Sequence, residues 1–185
     1  MLNESSKKRD HAMTLLRGKK VHLRPPEPDD LKLLFKWFND HEASGGLDVF
    51  QVTSWAEVEK DFKEPKDFTM LLVIKNKDES KIGLVVHYFS HFVMRNIEIG
   101  FMIAEAKERN KGYITEAAKL MVDYLFTTQN ISRVQATTNV LNKPAQRVLE
   151  KIGFKKEGQL REALFTAGKF HDVYVYGITR KEWKG

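Results

Sequence analysis

The most informative part of the chain is EIGFMIAEAKERNKGYITEAA, residues 98–118. Its apolar start predicts a β-strand at 97–104, and the helical periodicity that follows predicts a largely buried helix at 115–128. The connection between them is basic and contains Gly112. Free N–H groups at the start of a helix, together with the helix dipole, favour an anion, and a glycine lets a phosphate approach the backbone. We therefore predict a phosphate site here, with an ordinary solvated connection as the alternative.

Apolar periodicity and capping residues predict further helices and strands on both sides of this segment. Apolar residues spaced by three and four positions between Leu31 and Phe38 predict one helix. Ser54 followed by Glu57 forms a capping box that predicts a second, and Asn142 is a predicted cap of the last. The predicted strands lie at 21–24, 68–75, 81–90, 97–104, 133–140, 154–166 and 170–179. Together these elements predict an α/β (α+β) fold.

The domain organisation follows from the distribution of apolar residues. Residues 1–12 are polar and lack periodicity, which predicts a flexible extension. Residues 13–185 contain no repeat, linker or low-complexity tract, and 42% of the chain is apolar, enough to build a core. We therefore expect a single domain at 13–185.

Composition excludes several classes of function. The chain contains no cysteine, which excludes disulfides, thiolate metal sites and a covalent cysteine nucleophile, and we expect no metal site. Its net charge is +6, but the basic residues are spread along the chain, so nucleic-acid binding is not favoured. We see no membrane span and no signal peptide, and so expect a cytoplasmic protein.

Two motifs resemble those of the GNAT superfamily of N-acetyltransferases. Arg109-x-x-Gly112-x-Ile114 resembles the Q/R-x-x-G-x-G/A pyrophosphate loop of that superfamily, although Ile114 stands where glycine or alanine is usual. The stretch from Asn139 to Phe154 is similar to its second signature, N-x-x-N-x-x-S/A followed by a helix and Gly-Phe. The resemblance implies the GNAT fold, a mixed and mostly antiparallel central sheet of about six to seven strands flanked by helices.

The two ends of the chain resemble the subgroup that includes ribosomal-protein alanine acetyltransferases. These ends are VHLRPPEPDDL at 21–31 and GKFHDVYVYG at 168–177. The resemblance implies direct transfer of an acetyl group from acetyl-CoA to a primary amine, on a protein N-terminus or a small molecule, by a monomer or homodimer. Polyamine and antibiotic acetyltransferases are alternatives. A basic ribosome- or RNA-associated protein with a degenerate cofactor site is an alternative from another class.

The resemblance also assigns roles to residues of the cofactor site. The backbone of Phe101, Met102 and Ile103 would pair with the pantetheine arm, unless this is an ordinary paired strand. Asn142 and Arg147 would contact coenzyme A, although a helix cap equally explains Asn142. The pyrophosphate would be bound, chiefly through backbone N–H groups, by Arg109, Asn110, Lys111, Gly112, Tyr113, Ile114 and Thr115.

Transfer to an amine also requires a group that removes a proton, because a free amine is mostly protonated at neutral pH. Glu98 is the candidate base, since several members of the superfamily carry a carboxylate just before the acetyl-binding part of this strand. His87 and His91 are alternatives. Leu149 occupies the position where many members have a tyrosine acid, so the acid stays open between Tyr113, the pair Tyr174 and Tyr176, and solvent.

Overall fold

The structure is a computed structural model that describes residues 16–43, 45, 51–64, 68–91 and 96–185. It contains a seven-stranded sheet in the order β1-β2-β3-β4-β5-β7-β6. The strands are β1 (Val21–Arg24), β2 (Phe68–Lys75), β3 (Lys81–His91), β4 (Asn96–Ile103), β5 (Arg133–Asn139), β6 (Lys155–Thr166) and β7 (Lys169–Thr179). The helices are α1 (Leu31–Phe38), α2 (Trp55–Lys63), α3 (Tyr113–Thr128) and α4 (Lys143–Lys151), with short 3-10 turns at Pro28–Asp30 and Ala106–Glu108. Residues 1–12, the predicted extension, lie outside the described residues.

Local sequence signals account for where the helices begin. The Ser54 hydroxyl accepts a hydrogen bond from the Glu57 N–H at 3.2 Å, and the Glu57 carboxylate accepts one from the Ser54 N–H at 2.7 Å, so the predicted capping box starts α2. The Asn142 side chain caps α4. Helix α3 begins at Tyr113, two residues earlier than predicted, because Gly112 adopts a left-handed φ of 80° and turns the chain into the helix.

Two apolar clusters pack against opposite faces of the sheet. Helices α3 and α4 cover one face, where Ala117, Met121 and Leu125 pack fully buried against strand residues. Helices α1 and α2 cover the other face, where Leu34 and Trp37 contribute to a smaller cluster. Trp37 is buried and Phe38 is not, so the buried face of α1 is rotated slightly from the predicted apolar face. The resulting three layers place the middle of β4 between the two clusters.

Pairing in the sheet changes at β4 and β5. These two strands are parallel and pair only at Ile97 with Val134 and at Glu98 with Gln135. All other strand pairs are antiparallel, which confirms the mixed, mostly antiparallel sheet. Beyond Glu98, β4 continues along β3 and β5 continues along β7. The two strands therefore separate and leave a groove that opens toward the start of α3.

Candidate active site

The groove exposes backbone groups of β4 that have no neighbouring strand. Phe101, Met102 and Ile103 pair with β3 on one side but with no residue of β5 on the other. A strand directs its backbone N–H and C=O groups alternately to its two sides, so some of these groups face the groove. Buried backbone groups require partners. An extended ligand with amide groups can supply them, as predicted for a pantetheine arm.

The amino terminus of α3 lies at the open end of the groove and presents free N–H groups. The first helical bond runs from the Glu116 N–H to the Gly112 carbonyl, and no side chain caps the helix. The amides of the first turn therefore have no partner within the helix. A Cβ atom added at Gly112 would lie 3.4 Å from the Lys20 ammonium, with no backbone atom as close. This turn can accommodate an anion.

The Lys20 side chain lies beside the first turn of α3, a contact that the sequence did not predict. Its ammonium donates a hydrogen bond to the Lys111 carbonyl at 3.1 Å. The backbone at the start of β1 is hydrogen-bonded to the same helix, because the Glu116 carboxylate accepts hydrogen bonds from the N–H groups of Lys19, Lys20 and Val21. Lys20 is separated from Lys111 by 91 positions, so no local pattern could have linked them.

Glu98 lies at the last register pair before β4 and β5 separate, and its side chain is only 6% exposed. The alternation of the strand directs Glu98 to the same face as Met102, the face that α1 and α2 cover in part. Its carboxylate accepts hydrogen bonds from the Thr137 hydroxyl at 2.5 Å and from the Gln135 amide at 3.2 Å. The Tyr88 hydroxyl is a third donor. A buried carboxylate is therefore placed at the apex of the groove.

The groups around Glu98 connect it to the surface. Tyr88 is 37% exposed and Thr137 is exposed, whereas Glu98 is not. Burial raises the pKa of Tyr88 to about 12, with further contributions from the charge of Glu98 and the hydrogen bond to it. Tyr88 therefore keeps its proton at neutral pH and acts as a donor. No local sequence pattern predicts Tyr88, Gln135 and Thr137 as neighbours of Glu98, because only the sheet register brings them together.

Comparison with known families identifies the family to which the chain belongs. A family model described as an acetyltransferase (GNAT) domain matches residues 20–155. The chain belongs to the GNAT acetyltransferase family. It is therefore an acetyl-CoA-dependent N-acetyltransferase, as the resemblance implied.

Curated relatives of this GNAT chain include enzymes with different acceptors. It is 30% identical over 152 residues to the putative ribosomal N-acetyltransferase YdaF of Bacillus subtilis, covering 82% of this chain and 81% of YdaF. It is 31% identical over 156 residues to the spermidine N(1)-acetyltransferase of Escherichia coli K12, covering 83% of this chain and 82% of that enzyme. The relatives thus agree on the reaction and differ in the amine.

Solved structures share the GNAT fold at lower identity. The spermidine N-acetyltransferase from Vibrio cholerae, in complex with CoA and spermine, has a TM-score of 0.80 and 23% identity, covering 89% of this chain and 98% of that one. The ribosomal-protein-S5-alanine acetyltransferase from Vibrio fischeri has a TM-score of 0.74 and 18% identity, covering 91% and 98%. These likenesses confirm the predicted fold.

Within this GNAT site, the charged side chains of the predicted pyrophosphate loop point to protein partners. The Lys111 ammonium contacts the Glu108 carboxylate at 3.0 Å. The Arg109 guanidinium donates to the Ile103 carbonyl at 3.0 Å and to carbonyls of the α1–α2 connection. Asn110 has a left-handed φ of 62°. The loop therefore offers a ligand its backbone rather than free cations.

The structure explains why Ile114 stands where the pyrophosphate loop of the family usually has glycine or alanine. The Tyr113 and Ile114 side chains pack, partly buried, against the main apolar cluster of the protein. Thr115 is also half-buried. The Ile114 side chain therefore contributes to the core, and the backbone of this first turn stays available to the groove.

Helix α4 carries the remaining predicted cofactor residues. The Asn142 side chain accepts a hydrogen bond from the Ala145 N–H at 3.1 Å, which is the capping role. Arg147 is exposed on the helix surface. Leu149 is 1% exposed in the core, so it packs where other members have a tyrosine. Contact of Asn142 and Arg147 with coenzyme A stays a prediction.

The alternative acids and bases occupy less suitable places in this GNAT fold. His87 pairs with Ile99 and so points to the face opposite Glu98, and burial lowers its pKa. The His91 side chain lies outside the described residues. Tyr176 is 1% exposed and donates to Glu150 at 3.0 Å, with burial the main cause that raises its pKa to about 12. Tyr174 lies beneath the Lys156 ammonium, 4.2 Å from its ring centre.

The described part of the chain lacks two features. No group of three or more histidine, aspartate or glutamate side chains is placed there to hold a metal ion. No helix there has the length and apolarity needed to cross a membrane. A surface depression of about 740 Å³ lies on the β6–β7 hairpin and is lined by Gln159, Leu160, Arg161, Glu162 and Asp172.

Proposed function

We propose that this enzyme acetylates the primary amine of a protein N-terminus or of a small molecule by direct transfer, with Glu98 as the proton acceptor. The observation that carries the proposal is the position of Glu98, a buried carboxylate at the apex of the groove. Acetyl-CoA supplies the acetyl group. The residues of the chain bind and orient it, and they accept the proton that the amine must lose.

The groove supplies binding groups along its length. Free backbone groups of Phe101, Met102 and Ile103 would bind the pantetheine arm. The amides of residues 110–115 would bind the pyrophosphate, since the Arg109 N–H already donates to the Ala106 carbonyl at 3.1 Å. Asn142 and Arg147 would lie beside coenzyme A. An N–H near Phe101 or Met102 would stabilise the oxyanion that forms when the amine attacks, a contribution of about 3 kcal/mol when the donor is preorganised.

The proton would leave the amine toward Glu98. Both carboxylate oxygens already accept hydrogen bonds, from Thr137 and from Gln135. Thr137 and Tyr88 are more exposed than Glu98, so the proton would reach the carboxylate through one of these hydroxyls or through a water. The neutral amine then attacks the acetyl carbon, and collapse of the oxyanion breaks the carbon–sulfur bond. Coenzyme A leaves as a thiolate, which takes a proton from solvent or from a tyrosine.

An α-amine suits this arrangement better than a polyamine. A protein N-terminus has a pKa of about 8, whereas an alkylamine such as lysine has a pKa of about 10.4, so far more of the α-amine is neutral at pH 7. Similarity to a spermidine acetyltransferase supports a polyamine as the second candidate.

An acceptor comparison tests this proposal. Release of free thiol from acetyl-CoA would be followed with a peptide that begins with alanine and, separately, with spermidine. We expect the higher kcat/KM for the peptide, and a higher value for spermidine would favour the second candidate. Acetyl-CoA at a hundredfold excess over its Kd should also stabilise the fold by about 2.7 kcal/mol. Absence of any thermal shift at millimolar acetyl-CoA would contradict the proposed site.

A matched pair of glycine variants tests the cofactor loop. Gly112→Val adds a branched side chain at a left-handed residue in the groove, and we expect coenzyme A affinity to fall by about tenfold or more. Gly168→Val imposes the same kind of backbone strain at a φ of 74°, where no atom lies within 4 Å of the added Cβ. Calorimetric titration with coenzyme A should separate the two. Equal losses would attribute the effect to strain alone.

Two properties stay predictions from the sequence. We propose that the protein is cytoplasmic and is a monomer or homodimer. Sedimentation equilibrium would determine the oligomeric state.

A further inference from the structure

The segment that follows β4 contacts helix α1 on the face of the sheet to which Glu98 points. This segment, residues 104–109, joins β4 to the cofactor loop. The Trp37 indole donates to the Glu105 carboxylate at 3.2 Å, and Ala104 packs in the same buried cluster as Ala43. Ala43 belongs to the connection between α1 and α2. The two connections are therefore in direct contact.

Arg109 makes the strongest link between these two connections. Its Nε donates to the Ile103 carbonyl at 3.0 Å. Its Nη2 donates to the Glu42 carbonyl at 2.5 Å and to the Ala43 carbonyl at 3.3 Å. The planar guanidinium thus bridges the end of β4 and the α1–α2 connection, a geometry that a lysine cannot reproduce with one ammonium group.

The residues of the connection that Arg109 contacts belong to a hydrogen-bonded turn. The Ala43 N–H donates to the Asp40 carbonyl at 3.0 Å, and the Gly45 N–H donates to the Glu42 carbonyl at 3.1 Å. The base of the connection is closed by Asn39, whose side chain donates to the Thr53 carbonyl at 3.0 Å and accepts from the Thr53 N–H at 3.1 Å. Arg109 therefore contacts a turn that is already closed at its base.

We propose that Arg109 is a positioning residue that couples the cofactor loop to the α1–α2 connection, and that its side chain does not bind the pyrophosphate. The inference rests on the proposed cofactor site. A pyrophosphate bound to the amides after residue 109 restrains the backbone of Arg109. The guanidinium transmits that restraint to the carbonyls of Glu42 and Ala43. Coenzyme binding thus orders a turn on the face of the sheet to which Glu98 points.

Hydrogen exchange measured by mass spectrometry tests the coupling, with coenzyme A as the probe. In the unchanged protein, coenzyme A should slow exchange in peptides covering 110–116 and also, by about fivefold or more, in peptides covering 42–45. In Arg109→Met and Arg109→Lys, protection at 110–116 should persist, while protection at 42–45 should disappear. Lys107→Met removes an exposed positive charge two residues away and should behave like the unchanged protein.

The outcomes distinguish the possible roles of Arg109. Two results would overturn the coupling. One is protection at 42–45 that survives in Arg109→Met. The other is a lack of protection at 42–45 in the unchanged protein when 110–116 is protected. A loss of about tenfold or more in coenzyme A affinity in Arg109→Met, with affinity retained in Arg109→Lys, would show a phosphate contact instead. Failure of coenzyme A to protect 110–116 in the unchanged protein would reject the proposed cofactor site itself. Thermal melting of both variants establishes that they fold.

Discussion

Two of the buried carboxylates in the described part of the chain, Asp30 and Glu98, have different partners. Asp30 is fully buried, and it accepts hydrogen bonds from Arg24 at 2.7 Å and from the Lys81 ammonium. Glu98 is nearly as buried, but within the described part of the chain its carboxylate contacts hydroxyl and amide donors rather than cations. By our proposal, this difference in partners separates a structural carboxylate from one that takes part in proton transfer.

The partners of Asp30 fix its charge. Burial raises the pKa of Asp30, but hydrogen bonds from Arg24, Lys81 and the Glu27 N–H outweigh that effect and lower it to about 2. Asp30 therefore stays ionised at neutral pH and attaches the segment before α1 to β1 and β3. No cation is among the described hydrogen-bond partners of Glu98. The same residue type thus serves stability in one place and, by our proposal, chemistry in the other.

The largest expected effect is that of Glu98→Gln on catalysis. Removal of a general base typically lowers the rate by about 10²- to 10⁴-fold, and we expect kcat to fall within that range. Glutamine has nearly the same shape and keeps one oxygen acceptor, so the melting temperature should change little. Free-thiol release gives kcat, and calorimetry with coenzyme A should show unchanged affinity. A variant that keeps most of its kcat would remove Glu98 from the proton path.

Asp30→Asn should affect stability rather than chemistry. The change leaves Arg24 and Lys81 without the buried charge that they share, and we expect the free energy of unfolding to fall by about 3 kcal/mol. The value of kcat for the folded enzyme should not change. Urea denaturation measures the loss. Asp29→Asn, a change at the exposed neighbouring residue, is the control and should have little effect.

The pH dependence of stability tests the same contrast more finely. The pKa of Asp30 is lowered from 3.8 to about 2, so its stabilisation is present above about pH 4 and is lost as the pH falls toward 2. We expect the stability difference between the unchanged protein and Asp30→Asn to shrink by about 2 kcal/mol across that interval. Urea denaturation at several pH values gives this difference. A difference that stays constant with pH would show that the Asp30 charge is not the cause.

Much of the fold could be predicted because its signals are local. The capping box at Ser54, the cap at Asn142 and the helix that follows Gly112 each depend on residues a few positions apart. The surroundings of Glu98 could not be predicted in this way. Thr137 lies 39 positions away and meets Glu98 only because β4 and β5 pair in one particular register. The periodicity of a strand predicts which residues share a face of the sheet, but it does not predict which strand pairs with it.

The same limit applies to the direction of side chains in the cofactor loop. The sequence predicts that Arg109 and Lys111 lie in a basic loop, and both lie in the connection between β4 and α3. Their charges are directed to protein partners, because the carbonyls of residues 42 and 43 and the Glu108 carboxylate come from elements whose approach no motif describes. The motif therefore predicted the backbone of the site better than its electrostatics.

The smallest expected effect concerns a neutral partner of Glu98. Thr137→Val removes a hydroxyl that donates to the carboxylate without changing the shape of the side chain, and we expect kcat to fall by about threefold to tenfold. The loss is modest because Gln135 and Tyr88 still hold the carboxylate, whereas at Asp30 the cations themselves are the partners. Thr137→Ser restores the hydroxyl and should recover most of the rate, which a purely structural role in packing would not produce. A kcat that is unchanged in Thr137→Val but reduced in Tyr88→Phe would place the proton route on the Tyr88 side of the carboxylate.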